Sequence, residues 1–261
     1  MRYSEKIRPS MLWQLVRNDL RSRYSGSLLG ILWAFAMPMT TILVFWFVFQ
    51  MGFRNPPVND IPYILWFVSA YIPWIFFTDI LSSGCGCLVE YSYLVKKIRF
   101  NVKILPVVKL LSSAVIHLFF IVFLCLMRMI YRIPFLPSMI QMLYYSLAAG
   151  ILGLGITYLL SALTVFFKDI GSIVNILIQI GFWVTPIMWN DATMTNPAIR
   201  QILSFNPMYY IITGYRDCFL DGGWFWDKPS DALYFWSLTL GTLVLGSFIF
   251  KKLHPFFADE V

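Results

Sequence analysis

Long apolar runs, broken by short polar and basic segments, dominate this chain. A helix rises about 1.5 Å per residue, so crossing a hydrocarbon core of about 30 Å takes roughly 20 residues. Six windows qualify: 31–51, 62–81, 104–127, 142–167, 173–189 and 232–250. They predict an all-α integral membrane protein of six transmembrane helices. The first window is nearly free of charge. The second holds Pro62, Pro73 and Asp79, which predicts a kink or break. The fifth is the shortest and carries Asn175 and Gln179. Six crossings put both termini on one side.

Three segments outside the windows have patterns of their own. Over residues 10–24, Met11, Leu12, Leu15, Val16 and Leu20 share one helical face, while Gln14, Arg17, Asn18 and Arg21 share another. Pro9-Ser10 is a suitable start. This predicts an amphipathic helix along the inner membrane surface, its basic face turned to anionic head groups. A soluble helix docked on a partner would show the same pattern. Over residues 90–102, Tyr91, Leu94, Val95, Ile98 and Val102 recur at helical spacing, with Lys96, Lys97, Arg99 and Asn101 opposite. Such a helix is either a plain connector or the element through which a soluble partner pushes on the membrane part. Periodicity leaves both open. Segment 190–231 is apolar for a loop and holds Phe205, Tyr209, Tyr210, Tyr215, Trp224 and Trp226. Backbone at membrane depth must be helical or buried in protein, so short re-entrant helices are expected there.

Composition narrows the class. The 261 residues are 59% apolar and 13% charged, against about half and about a quarter in soluble domains. That balance excludes most soluble enzymes, disordered chains and nucleic-acid modules. The net charge of +7 lies between the apolar runs, where Lys and Arg set orientation rather than bind nucleic acid. With the N-terminus inside, 14 of the 20 Lys and Arg fall on inner segments; the outer six are Arg54, Arg128, Arg132, Arg200, Arg216 and Lys228. Both termini are therefore expected in the cytoplasm. Lys109, inside the third window, is expected to snorkel to the inner surface. Residues 1–29 hold six Lys and Arg and no continuous apolar core, so no cleavable signal peptide is expected.

Candidate chemistry is sparse. No Gly-x-x-x-x-Gly-Lys-Ser/Thr run is present to cradle a nucleotide phosphate, and no His-Glu-x-x-His pair to hold a metal. Cys85, Cys87, Cys125 and Cys218 lack zinc spacing and read as membrane thiols. His117 reads as a hydrogen-bonded packing residue. Asp79 and Asp169 lie near window boundaries, where hydration or a lysine (Lys168 for Asp169) accounts for them; Asp79 also stays a functional candidate, as an ionisable group at membrane depth does. Asn175 and Gln179 either line a polar path or bond another helix. Gly150, Gly153 and Gly155 allow close helix approach. Aromatic residues make up 18%. Interfacial belts account for many of them, while the 190–231 cluster also fits weak stacking on sugar faces, which a conduit for a polymer needs.

Specific motifs sharpen this picture. Asp19-Leu20-Arg21, Arg23-Tyr24, Ser27-Leu28-Leu29-Gly30-Ile31-Leu32-Trp33 and then Pro38 resemble the N-terminal signature of the membrane subunit of type-2 ABC exporters for polysaccharides such as O-antigen, capsule and teichoic acid. Phe167-Lys168-Asp169 is similar to that family's boundary after the fourth span. Thr185-Pro186-Ile187 and Asn206-Pro207-Met208 are similar to its Pro motifs, and residues 250–261 to its C-terminal signature, with His254-Pro255-Phe256 departing from the usual order. The resemblance covers nearly the whole chain. It implies one transmembrane permease domain: an interface helix and gate loop over 1–30, a six-span bundle over 31–250 and a cytoplasmic tail over 251–261. It implies a homodimer in the bacterial inner membrane with two ABC ATPase subunits, moving a lipid-linked polysaccharide. ATP and Mg would belong to the ATPase, and no cofactor or metal to this chain. Tyr24, Ser25, Ser27, Leu28, Gly30 and Trp33 would form the substrate gate. Glu90, Tyr91, Leu94, Lys96, Lys97 and Arg99 would couple to the ATPase. Phe205, Tyr209, Tyr210, Tyr215, Trp224 and Trp226 would line the exit. Two alternatives remain: a small-molecule or lipid exporter of the same architecture, and a membrane-embedded transferase acting on lipid-linked sugars.

Overall fold

The computed structural model describes residues 9–53, 57–58, 61–97, 100–190 and 196–261. Among them the fold is helical, and the extended pairing is one isolated bridge between Val58 and Ile61. In chain order the helices are α1 (Pro9–Arg23), α2 (Trp33–Phe45), α3 (Tyr63–Cys85), α4 (Cys87–Glu90), α5 (Ser92–Val95) and α6 (Ile104–Ile130). They continue with α7 (Gln141–Thr164), α8 (Ile170–Val184), α9 (Pro197–Ser204), α10 (Pro207–Arg216), α11 (Pro229–Leu253) and α12 (Phe257–Glu260). A 3-10 turn before α2 and a π turn after it complete a rod from Gly30 to Gly52.

Five helical stretches are long and apolar enough to cross a membrane: Gly30–Gly52, Tyr63–Cys85, Ile104–Ile130, Pro137–Thr164 and Pro229–Glu260. They match five of the six expected windows. The apolar α8 has 15 residues, about 22 Å at 1.5 Å per residue, short of a bilayer core. Its window was expected to run to residue 189. Pro186 stops it, because a residue before proline is driven out of the α region, and Thr185 is extended at φ −80°, ψ 137°.

The central helix is α3. It is apolar on every face, as a fully surrounded helix must be, and 83% of its central window is buried against 11% for the α2 rod. Pro73 lies inside it without breaking it. Around it pack α6, α7, α8 and α10. The α7–α11 pair packs closest: a Cβ on Gly155 would lie 2.8 Å from the Leu243 backbone nitrogen, so the two backbones touch, as small residues permit.

A second cluster closes one end of the bundle. Val16 and Leu20 of α1, Cys87 and Leu88 of α4, Tyr91, Val95, the start of α6, Phe250 and Phe257 are buried together. Both α1 and α12 therefore sit at this basic end. The single helix expected over 90–102 is not formed. Two one-turn helices, α4 and α5, flank Tyr91 at φ −101°, ψ 31°. The apolar periodicity was real, since Tyr91, Val95 and Val102 are buried. At the break, Tyr91 turns its hydroxyl inward, onto Asp19. Ile98 and Arg99 lie outside the described residues.

Candidate functional site

The basic end carries a buried ion network that links α1, α3, α4 and α6. Asp19 lies on the inner face of α1 and is fully buried. Lys109 Nζ donates to its Oδ1 at 2.6 Å and to Glu90 Oε2 at 2.6 Å. The Tyr91 hydroxyl donates to Asp19 Oδ1 at 2.8 Å. One turn along α1, Arg23 Nε is 2.9 Å from Asp19 Oδ2, in contact but off hydrogen-bond alignment. Arg23 also donates to Asp79 Oδ2 at 3.1 Å and to Ser83 Oγ at 3.1 Å. Ser113 Oγ donates to Asp79 Oδ2 at 2.5 Å.

Lys109 does not snorkel. Its side chain is 1% exposed and is neutralised where it stands by two carboxylates. The Asp79 partner is Arg23, a residue 56 positions away. Burial alone would raise the Asp19 pKa, but the charges of Arg23 and Lys109 outweigh it and hold the carboxyl below its ordinary value. Burial and the adjacent Asp19 carboxylate both push the Tyr91 phenol up. Arg23 is raised despite burial, through Asp79 and Asp19. All of these favour the ionised pairs and a neutral phenol.

The network is anchored directly beneath a tight loop. Ser25 and its hydroxyl bond the Ser22 carbonyl. Ser27 Oγ donates to the Tyr24 carbonyl at 3.1 Å and accepts from Gly30 N at 3.0 Å. Gly26 at φ 86° and Gly30 at φ 51° occupy left-handed conformations that cost a side-chain-bearing residue about 1–2 kcal/mol. Tyr24, Ser25, Ser27 and Gly30, with Arg17 and Arg21, line a hollow of about 530 Å³. Tyr24 and Trp33 also line a second cavity of about 180 Å³, with Asp79, Ser113 and His117 on its wall. Leu28 is fully exposed. Of the expected coupling residues, Glu90 and Tyr91 join the network, Leu94 is half-buried, Lys96 and Lys97 are exposed, and Arg99 is outside the described residues.

At the opposite end, the expected exit aromatics divide. Phe205 and Trp226 are exposed, and Trp226 stacks on Trp224 at 4.4 Å. Tyr209 and Phe205 line a small cavity of about 100 Å³. Tyr210 and Tyr215 are buried in the protomer. The Tyr210 hydroxyl lies 3.1 Å from that of Tyr144, and Tyr215 bonds Ser146 and, at 3.0 Å, His117 Nε2. His117 is thus a hydrogen-bonded packing residue between α6, α7 and α10. Asn196 and Asn206 cap α9 and α10 by accepting from the backbone two residues on, each before a proline suited to the first helical position.

Two arginines tie the irregular backbone here. Arg216, buried at the end of α10, donates to the Pro186 and Ile187 carbonyls at 2.5 and 2.7 Å and lies 3.5 Å over the Trp66 ring. Arg128, at the end of α6, donates to Pro134 O at 2.8 Å and to Phe219 O. Both are expected from sequence as outer-side cations that set orientation; the structure instead gives each a set of backbone carbonyls to hold. The signal available was position: a cation in the last turn of a helix meets carbonyls.

This arrangement joins small cavities to charge links, and among the described residues it brings together no nucleophile, base and electrophile. The profile of the ABC-2 type transporter family matches residues 10–220, and the chain belongs to that family. It is a membrane transport subunit rather than an enzyme. Among named relatives, it is 26% identical over 266 residues to the O-antigen export system permease protein RfbA of Klebsiella pneumoniae, covering 99% of this chain and 98% of the relative. It is 27% identical over 262 residues to the protein of that name from Myxococcus xanthus, covering 96% and 95%.

Proposed function

We propose that this chain is the permease of an ATP-driven exporter that carries a lipid-linked, O-antigen-like polysaccharide across the bacterial inner membrane. The observation that carries the reading is end-to-end similarity to two O-antigen export permeases. The geometry fits it. Six crossings are completed by α8 together with the irregular segment that Arg216 holds. Both termini then share the cytoplasmic side, where the positive-inside bias places the basic end. Residues 1–30 act as interface helix and gate loop, 31–250 as the bundle and 251–261 as the tail.

Two copies enclose the path, because the helices of one protomer close around the buried α3 and leave only small cavities between them. Two ATPase subunits bind below and hold the ATP and Mg; this chain needs no cofactor. The α4–α5 segment meets the ATPase. Glu90, Lys109, Asp19 and Arg23 form a series of charged contacts from that segment to the loop after α1, which offers a route by which displacement of α4 reaches Tyr24. ATP shifts the cycle only if each nucleotide state favours a different helix arrangement.

The test is complementation. A strain lacking this gene is expected to accumulate lipid-linked glycan inside and lose it from the surface. Wild-type chain, expressed with its ATPase, restores display. Normal surface glycan in the deletion strain refutes the reading.

A further inference from the structure

The face that α8 turns away from its own protomer is not purely apolar. Asn175, Gln179 and Trp183 follow one another at i, i+4 and i+8 and are all exposed, so they form one stripe with steps of about 6 Å. Among the described residues no hydrogen bond engages either amide, whereas several hydroxyls on other helices bond their own backbone. Thr40 and Thr41 of α2 return their hydroxyls to the Ala36 and Met37 carbonyls, and Ser237 of α11 does so to Leu233. Such back-bonding lets a hydroxyl face lipid at little cost. A carboxamide cannot do this, because its two donors and its acceptor exceed what one helix offers.

Depth makes this significant. Gly181 lies against the Trp74 ring, a Cβ there falling 2.8 Å from it, and Trp74 sits midway along α3. The Tyr63 hydroxyl at the far end of α3 donates to the Met188 carbonyl. Gln179 is therefore near mid-depth, with Asn175 one turn closer to the basic end. On α6, where His117 stacks on Phe76, the outward-facing Val122 one turn further on is apolar. An unpaired amide in hydrocarbon is disfavoured, so this stripe does not face lipid.

We propose that Asn175, Gln179 and Trp183 form a sugar-contacting track along the export path, with the amides exchanging hydrogen bonds with passing hydroxyls and the indole stacking on apolar ring faces. The ligand class is a hydroxyl-rich polymer, and the inference rests on the export reading above. Side-chain amides suit a moving polyol because they both donate and accept, and no charge holds the polymer in place. Binding that is favourable but easily left is what conduction requires. Dry packing of α8 on a second copy is the competing way to satisfy the amides, and the cross-linking arm of the test below reads it directly.

The test uses the full transporter in cells. Asn175→Cys, Gln179→Cys and Trp183→Cys are each exposed to a small, charged, membrane-impermeant methanethiosulfonate, with Val122→Cys as the lipid-facing control. The unsubstituted chain, with its own four free cysteines, sets the background. Labelling at the three α8 positions and not at 122, with protection when the polymer is being made, is expected. Three results overturn the track: no labelling above background, disulfide cross-linking between copies without labelling, or labelling that glycan synthesis does not reduce. The complementation test decides the export reading separately. Asn175→Leu with Gln179→Leu should lower surface glycan while the complex assembles and hydrolyses ATP normally, a split that a folding defect would not give.

Discussion

Lys109 is the keystone of the buried network, and its removal has a calculable effect. Lys109→Met keeps an unbranched side chain one atom shorter and deletes its charge. Breaking a buried pair by removing one partner costs about 3–5 kcal/mol, because the other charge is left uncompensated. Here two features hold the cost near the low end of that range. Asp19 keeps Arg23 at 2.9 Å and the Tyr91 hydroxyl at 2.8 Å. Glu90, with its side chain 44% exposed, can turn to water. About 3 kcal/mol, at about 2–4 °C per kcal/mol for a chain of this size, lowers the unfolding midpoint by roughly 6–12 °C. Glu90→Gln removes the screened arm alone and costs at most about 1 kcal/mol. Thermal unfolding of the purified protein in one detergent measures both. The double variant Asp19→Asn, Lys109→Met should lose less than the sum of its parts, since the two side chains share one contact. If Lys109→Met were as stable as wild type, or if Glu90→Gln were the more damaging, the network would not be what holds α1 to α6.

Other variants probe other parts of the fold. Gly155→Ala drives a methyl into the Leu243 backbone and should destabilise by about 1–3 kcal/mol, whereas Gly241→Ala meets open space and should gain up to about 1 kcal/mol as a better helix former; unfolding midpoints compare them. Arg216→Met strands the Pro186 and Ile187 carbonyls, at about 1–3 kcal/mol for each group left unpaired, and should expose the segment after α8 to limited proteolysis. The Asp19 carboxyl is held below its ordinary pKa, so its stabilising effect is present at all pH above the usual carboxylate range and is lost as pH falls through the lowered value. The midpoint difference between wild type and Asp19→Asn should therefore stay constant from neutral pH to about pH 5 and shrink only in stronger acid.

The spans were legible because each is encoded by its own residues. Hydropathy alone placed α3, α6, α7 and α11 to within a few positions. The family signature was equally local, from Asp19 to Pro38. What sequence did not disclose was pairing across distance. Asp79 was weighed as a hydrated boundary acid because Arg23 is 56 residues away, and Lys109 was expected to seek the surface because Asp19 is 90 residues away. The 90–102 periodicity marks Tyr91, Val95 and Val102 as buried but not the break at Tyr91, whose hydroxyl partner Asp19 is 72 residues away. Burial of Tyr210 and Tyr215 was hidden for a related reason. Aromatic composition does not distinguish a ring that lines a path from one that packs on Ser146 or Phe235.

The contact between Gly155 and the α11 backbone limits how the molecule can deform. Where Gly155 and Gly246 meet, no side chain separates α7 from α11, and ring contacts of Tyr144 with Trp236 and of Tyr158 with Phe250 tie the same pair above and below, so with α3 they form the stiffest part of the bundle. The α2 rod, 11% buried, and α8 are joined to that part by far less surface. A cross-link that pins either one to α3 is therefore expected to arrest transport while leaving the α7–α11 contact intact.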